Sequence, residues 1–198
     1  MATTTTRPGR QSGESGNRER ILAAARTEFA ATGFRGTTLR SIAARAEVDV
    51  ALLSHYFGNK DGLFAATLEL PPSARGIASR ALSGPTEMQG ELLTRGYLGL
   101  WEDPATSAQM HVLARSALAN EVATSQIRRL LEGTTGDPEL AGALDGRHEG
   151  FALAMAHLLG VAFGRHLTQV APLAELDFES LVARTAPAVQ LHLEERAA

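Results

Sequence analysis

The chain has no cysteine at all among its 198 residues, one tryptophan, and aromatic residues at only 5%. The missing thiols exclude a disulfide framework, thiolate metal sites and cysteine nucleophiles, and they fit a reducing compartment. With so few rings, the core has to be built from Leu, Ala and Val; the hydrophobic share of 44% is ample for that. No uninterrupted apolar run approaches the roughly 18 residues of a membrane span, and the N-terminus lacks an apolar signal core. The expectation is a soluble cytoplasmic protein with no membrane partner. Catalytic patterns are missing too. No Glu is followed by His three residues later, so a di-iron bundle has no ligand set. There is no His-Glu-x-x-His zinc motif, no serine in a nucleophile elbow and no Gly-rich phosphate loop. Neither an enzyme, a metal nor a cofactor is expected.

Net charge is −3, which argues against a nucleic-acid binder only if the charge is evenly spread. It is not. Residues 1–64 carry nine basic and six acidic side chains, an excess of +3, and residues 65–198 carry the remaining balance of −6. A mildly basic head on an acidic body suits a protein that touches DNA at one end. Lys60 is the only lysine in an arginine-dominated chain.

What is there is helical periodicity almost from end to end, and the fold class read from it is all-α, with about nine helices. Residues 1–17 are rich in Thr, Gly and Ser without apolar spacing and are expected to be a disordered tail. From Arg18, the residues Ile21, Leu22, Ala25 and Phe29 recur at helical spacing, and Gly33 is a terminator. Thr37 and Thr38 offer an N-cap to a short helix with Ile42, Ala43 and Ala46 on one face. Asp49 caps a third short helix anchored by Leu53 and Phe57, and a fourth begins at Lys60 with Leu63, Phe64 and Leu68 inward. Further breaks fall at Pro71-Pro72, Gly84-Pro85, Asp103-Pro104, Gly133 to Pro138 and Ala171-Pro172. The expected organisation is a DNA-binding domain over 18–64 and a helical body over 65–198.

Residues 38–57 therefore have the outline of a helix-turn-helix. Such a motif needs a second helix with few inward positions and a free face for the major groove. Leu53 and Phe57 anchor it, leaving Val50, Ala51, Leu52, Ser54, His55 and Tyr56 for DNA. Thr38, at a helix N-terminus, can present its hydroxyl and the first amides to a phosphate.

The stretch Gly33-Phe34-Arg35-Gly36-Thr37-Thr38-Leu39-Arg40-Ser41-Ile42-Ala43, then Val48, then His55-Tyr56-Phe57-Gly58-Asn59-Lys60-Asp61-Gly62-Leu63 closely resembles the N-terminal signature of the tetracycline-repressor (TetR) family. The likeness runs without a gap from Ile21 to Leu63. It implies a dimeric transcription regulator that binds operator DNA through Thr37, Thr38, Asp49 and the free face of the second helix. It implies further that Arg40 reaches a base or phosphate, that His55 and Tyr56 meet phosphates, and that Lys60 clamps one. Two positions depart from the pattern: Glu47 stands where Gly is usual, and Ser54 where Tyr is common. With Val50, Ala51 and Leu52 all apolar, thymine-methyl contacts and DNA shape should contribute more than hydrogen-bond readout.

In the body, residues 146–169 alternate small with large side chains, and residues 177–194 form a second long apolar helix in which Pro187 should cause a kink. The resemblance implies that these two helices pair with their symmetry mates in a homodimer. Ala152, Ala156, Leu159, Gly160 and Phe163 would form the interface on the first helix, and Leu181, Thr185 and Val189 on the second. It also implies a repressor released by a small apolar effector held between the middle helices. Tyr97, Trp101, His111 and Arg115, with Asn120, Met155 and His157, are the candidate lining residues. A dimer that needs no effector is the competing reading.

Overall fold

The computed structural model describes residues 11–69, 76–116, 120–133, 138–144 and 146–194. Among these residues the structure is helical throughout, and the chain divides into two compact units between Thr67 and Leu68.

The first unit holds α1 (Gln11–Gly36), α2 (Leu39–Ala46), α3 (Val50–Phe57) and α4 (Lys60–Thr67). Helix α1 starts at Gln11, inside the segment expected to be a disordered tail. Once the buried stretch from Ile21 to Phe29 fixes a helix, each added N-terminal residue costs no new nucleus, so polar Ser and Gly residues are carried along. Residues 1–10, with Arg7 and Arg10, lie outside the described residues. The regular helix breaks at Gly33, whose φ of 70° is the left-handed conformation that only a residue without Cβ takes at little cost. Phe29, Phe34 and Phe64 meet there: Phe64 stands edge-on to the other two at centroid distances of 5.0 Å, and Phe29 and Phe34 stack at 5.9 Å. Such pairs contribute roughly 0.5–1.5 kcal/mol each beyond their burial. Ile21, Ile42, Leu53 and Leu63 complete a core in which all four are fully buried.

The second unit holds α5 (Ile77–Leu82), α6 (Gln89–Glu102), α7 (Ser107–Ser116), α8 (Glu121–Glu132), α9 (Pro138–Leu144), α10 (His148–Ala162), α11 (Ala171–Ala174) and α12 (Phe178–Glu194). A single 3₁₀ turn, Thr86–Met88, leads into α6, and a π-helical turn, Phe163–Leu167, ends α10. The twelve α-helices among the described residues exceed the nine expected. The surplus lies in pieces such as α5, α9 and α11, too short to show a periodicity of their own. The breaks at Gly84-Pro85, Asp103-Pro104, Gly133 to Pro138 and Ala171-Pro172 all fall between helices or at a helix start. The break at Pro71-Pro72 lies outside the described residues.

Helices α6, α10 and α12 carry the core of the body, with Leu93, Tyr97, Leu98, Trp101, Phe151, Met155, Leu158, Leu181 and Val189 buried together. Helix α6 meets α12 closely at Gly90, whose amide donates to Gln190 Oε1 at 2.7 Å. A Cβ there would lie 2.6 Å from the Gln190 backbone nitrogen, so hydrogen alone fits. Helix α12 continues through Pro187, which sits on its exposed side, where the carbonyl the ring leaves unpaired is open to water. The segment His148–Leu167 is long and apolar enough to cross a membrane by length and composition alone, although His157 at its centre and Glu149 and Arg165 near its ends interrupt the apolar run. Phe151, Ala154, Met155, Leu158 and Ala162 on this segment are buried in the body's own core.

Candidate nucleic-acid interface

Helix α2 begins with a full capping box. The Thr38 hydroxyl accepts from the Ser41 amide at 3.0 Å, and the Thr38 amide donates to Ser41 Oγ at 3.2 Å. Helix α3 begins with Asp49, whose carboxylate accepts from the Ala51 amide at 2.6 Å. Both expected caps are in place, and such caps stabilise a helix by about 1 kcal/mol each. Thr37 is different. Its side chain is 1% exposed and its hydroxyl donates to the Gly33 carbonyl at 2.8 Å, with Thr32 Oγ1 also at 2.8 Å. The reading of Thr37 as a DNA contact is corrected: its hydroxyl is consumed in closing the turn after α1. Asp49 spends one carboxylate oxygen on the cap of α3, and its side chain stays exposed.

The turn between α2 and α3 contains Glu47 in the left-handed conformation, φ 54° and ψ 47°. A residue with a Cβ pays roughly 1–2 kcal/mol for this, yet the backbone a glycine would take is kept. Arg20 on α1 explains why. Its Nη2 donates to the Ala46 carbonyl at 2.6 Å and to the Glu47 carbonyl at 3.3 Å, and it lies 4.0 Å from the Glu47 carboxylate. Two carbonyls at the C-terminus of α2 thus receive a charged donor, where a helix presents partial negative charge. The ion pair itself is exposed on both sides and contributes little. Arg45 ties α2 to α1 a second time, donating from Nε to Glu28 Oε1 at 2.6 Å. Sequence reading missed Arg20; its only signal was an arginine one position before the first buried residue.

With the turn fixed, α3 turns Leu53 inward at 1% exposure. Ala51, Ser54 and His55 are exposed, and Val50, Leu52 and Tyr56 are half-buried. Phe57 is half-buried beneath the Arg18 guanidinium, 5.5 Å from the ring centroid. Arg40 is exposed on α2. Lys60, at the start of α4, rests its ammonium 4.4 Å from the centre of the Phe34 ring. That cation–π contact sets the direction of a flexible side chain without removing its charge.

In the body, the candidate lining residues divide. Tyr97, Trp101 and Met155 are buried in one core. Trp101 stacks on His166 at 5.3 Å with 15° between planes, and His111 stands edge-on to both, at 5.6 Å from Trp101 and 6.1 Å from His166. His166 was missed because it lies in the π-helical turn, which shifts it off the face that α-helical spacing assigns. Arg115 is exposed, Asn120 caps α8 by accepting from the Ala123 amide at 3.1 Å, and His157 faces His192 at 5.8 Å on the outer side of α10 and α12. These three are not among the buried residues of that core. The expected dimer face divides too. Ala156, Gly160 and Phe163 are exposed, and Ala152 and Leu159 half-buried. Leu181, Thr185 and Val189 are buried inside their own chain, which corrects them as interface residues: their apolar stripe faces α6 and α10.

A capped, clasped helix-turn-helix presenting one face of α3 defines the first unit as a DNA-binding head of a transcription regulator. The model for bacterial regulatory proteins of the tetR family matches residues 21–67, and that for the tetracyclin repressor-like C-terminal domain matches residues 87–193. A TetR-family regulator from Streptomyces coelicolor A3 is 33% identical, with 94% of this chain and 99% of that one aligned at a TM-score of 0.64. The chain belongs to the TetR family of DNA-binding transcription regulators, which are not enzymes. A TetR-like regulator from Rhodococcus sp. RHA1 shares the fold at 22% identity and a TM-score of 0.55, over 89% and 93% of the two chains. The HTH-type transcriptional regulator BetI of Paraburkholderia xenovorans is 57% identical over 37 residues. The match spans 19% of each chain, so the likeness to these curated relatives covers about a fifth of their length.

Replacing Glu47 by Gly removes the left-handed penalty and keeps the Arg20 bonds to carbonyls. It should raise the unfolding free energy by up to about 1 kcal/mol, whereas Arg20→Ala should lower it by roughly 1–3 kcal/mol. Chemical denaturation of the two variants checks the pair; destabilisation by Glu47→Gly would contradict this account of the turn.

Proposed function

We propose that the protein is a cytoplasmic repressor that binds a palindromic operator as a homodimer and leaves it when a small-molecule effector occupies the body. The observation that carries the DNA half is the free face of α3. Ala51, Ser54 and His55 point away from the core, with Val50, Leu52 and Tyr56 at its edges, while Leu53 alone is fully committed inward. Thr38 and Lys60 approach phosphates, and Arg40 reads a base edge beside them.

The homodimer reading rests on the outer side of α10 and α12. Leu153 and Phe163 are each 46% exposed and Leu191 57%, and Ala156, Gly160 and Pro187 lie exposed on the same two helices. Large apolar side chains flanking small residues on adjacent helices are a surface that a second copy covers well. The interface residues are then Ala152, Ala156, Leu159, Gly160 and Phe163, with Leu191 replacing the three buried positions of α12. The effector reading is supported by the body cluster around Trp101 and by a neighbour of the same fold, SmeT, whose structure is a complex with triclosan. Release requires only that the effector favour a conformation whose recognition helices no longer match the half-site spacing.

Two expectations follow for DNA. Lys60→Ala should weaken binding to all sequences alike and lower the slope of log affinity against log salt by about one. Arg40→Ala should cost roughly 1–3 kcal/mol and relax discrimination at one base position. Binding isotherms over a salt series with matched and mismatched duplexes separate them, and an even loss across sites for Arg40→Ala would make it a phosphate contact.

For assembly, Gly160→Arg should sediment as a monomer, keep its helical content and lose most operator affinity, because each half-site supplies half the contacts. A Gly160→Arg protein that still sediments as a dimer would move the interface away from α10.

A further inference from the structure

Two histidines on the outer side of the body take no part in its core or in the DNA-binding head. His157 on α10 and His192 on α12 are both half-buried, with ring centroids 5.8 Å apart and 69° between the planes. That contact is the one polar or ring interaction either side chain makes among the described residues. Their ring nitrogens are therefore open to a further partner, and imidazole is the commonest side-chain ligand for a metal. Helices α10 and α12 pack against each other, so helix packing rather than a loop sets the spacing of the pair.

The spacing suits a shared ion. Two imidazoles bound to one tetrahedral zinc through nitrogens at about 2.0–2.1 Å hold their ring centres roughly 5 Å apart. A small turn about the side-chain torsions brings this pair into place. Imidazole nitrogen selects zinc, copper, nickel and their neighbours, whereas magnesium and calcium take oxygen ligands. One chain alone does not complete such a site. Among the described residues, no group of three or more His, Cys, Asp or Glu side chains could hold a metal ion. Two ligands leave a tetrahedral ion half-coordinated.

The missing half lies where a second copy brings it. His157 stands one turn from Leu153 on one side and from Gly160 on the other, and His192 follows Leu191 directly. Leu153 and Leu191 are exposed, as is Phe163 one turn beyond Gly160. The pair thus lies within the apolar face assigned above to a second copy, between large side chains toward both ends of that face along α10. In a two-fold interface, groups near the axis meet their own copies. Closing that face over four imidazoles without partners is unfavourable, because buried polar groups require a bond. One ion supplies it to all four.

Resting on the homodimer reading above, we propose that His157 and His192 of two copies together bind one divalent transition-metal ion of the zinc type across the dimer axis. The complete site exists only in the dimer, so the ion strengthens the dimer by mass action. Its ligands lie on separate helices and come from two chains, which is why no metal motif along one helix announces it in the sequence.

The test uses the full-length protein without an affinity tag, stripped of metal with a chelator and dialysed. Zinc chloride titrated in a calorimeter should saturate at one ion per two chains, and cobalt chloride should give the strong visible absorption of a tetrahedral site. In sedimentation, saturating zinc should lower the dimer dissociation constant by about ten-fold or more. His157→Asn and His192→Asn should each remove the cobalt band and the zinc effect, while both variants sediment like the unsubstituted protein when metal-free. Absence of saturable zinc binding, zinc binding of full strength in both variants, or one ion per chain with no change in dimer strength overturns the proposal. Sedimentation of the metal-free protein keeps the two levels apart. A metal-free dimer that binds no zinc leaves the homodimer reading standing and this site wrong; a monomer with and without zinc removes the homodimer reading and this site with it.

Discussion

The short reading helix depends on a turn it does not contain. Helix α3 has eight residues, well under the length at which a helix holds itself together in water. Its direction comes from the Asp49 cap at its start, from Leu53 beneath it and from the turn that delivers the chain to it. In that turn Glu47 occupies a backbone conformation that favours glycine, and Arg20 on α1 clasps the two carbonyls on either side of the Ala46–Glu47 bond. The arginine does in space what a glycine would do by lacking a side chain. Once the clasp is set, the free face of α3 is determined.

Much of the head was legible in the sequence because its signals are local. A Thr three residues before a Ser, an Asp two before the amide it caps, and apolar residues at helical spacing are all readable along one short window. What was not legible depends on residues far apart in the chain. The Arg20 bonds span more than two dozen positions, and the burial of Thr37 follows from Thr32 and Gly33 folding back on it. Two adjacent threonines look alike in sequence, yet Thr38 caps a helix at the surface and Thr37 closes a turn inside.

The body shows a different limit. Amphipathic spacing says that a helix face is buried but not by what. Leu181, Thr185 and Val189 form the apolar stripe of α12 as expected, and they spend it on their own chain. The face left over, with Leu191, Pro187, Phe163 and Gly160, is interrupted by polar residues and short side chains and does not stand out as a stripe. His166 was hidden for a geometric reason: the five residues of the π-helical turn wind less per residue than α-helical counting assumes, which places it on another face. Arg115, near His111 in sequence, is exposed, and Asn120 caps α8, a difference in surroundings that sequence spacing does not reveal.

The central claim is that two copies of the α3 face, held at a fixed separation by one dimer, read a two-fold symmetric site. Footprinting of the full-length protein on fragments it selects from its source genome tests this most directly. The account predicts protection that is symmetric about a centre, with half-site centres about 34–36 Å apart or a multiple of that distance. Protection of a single asymmetric segment, with no second half-site at that spacing, would contradict it.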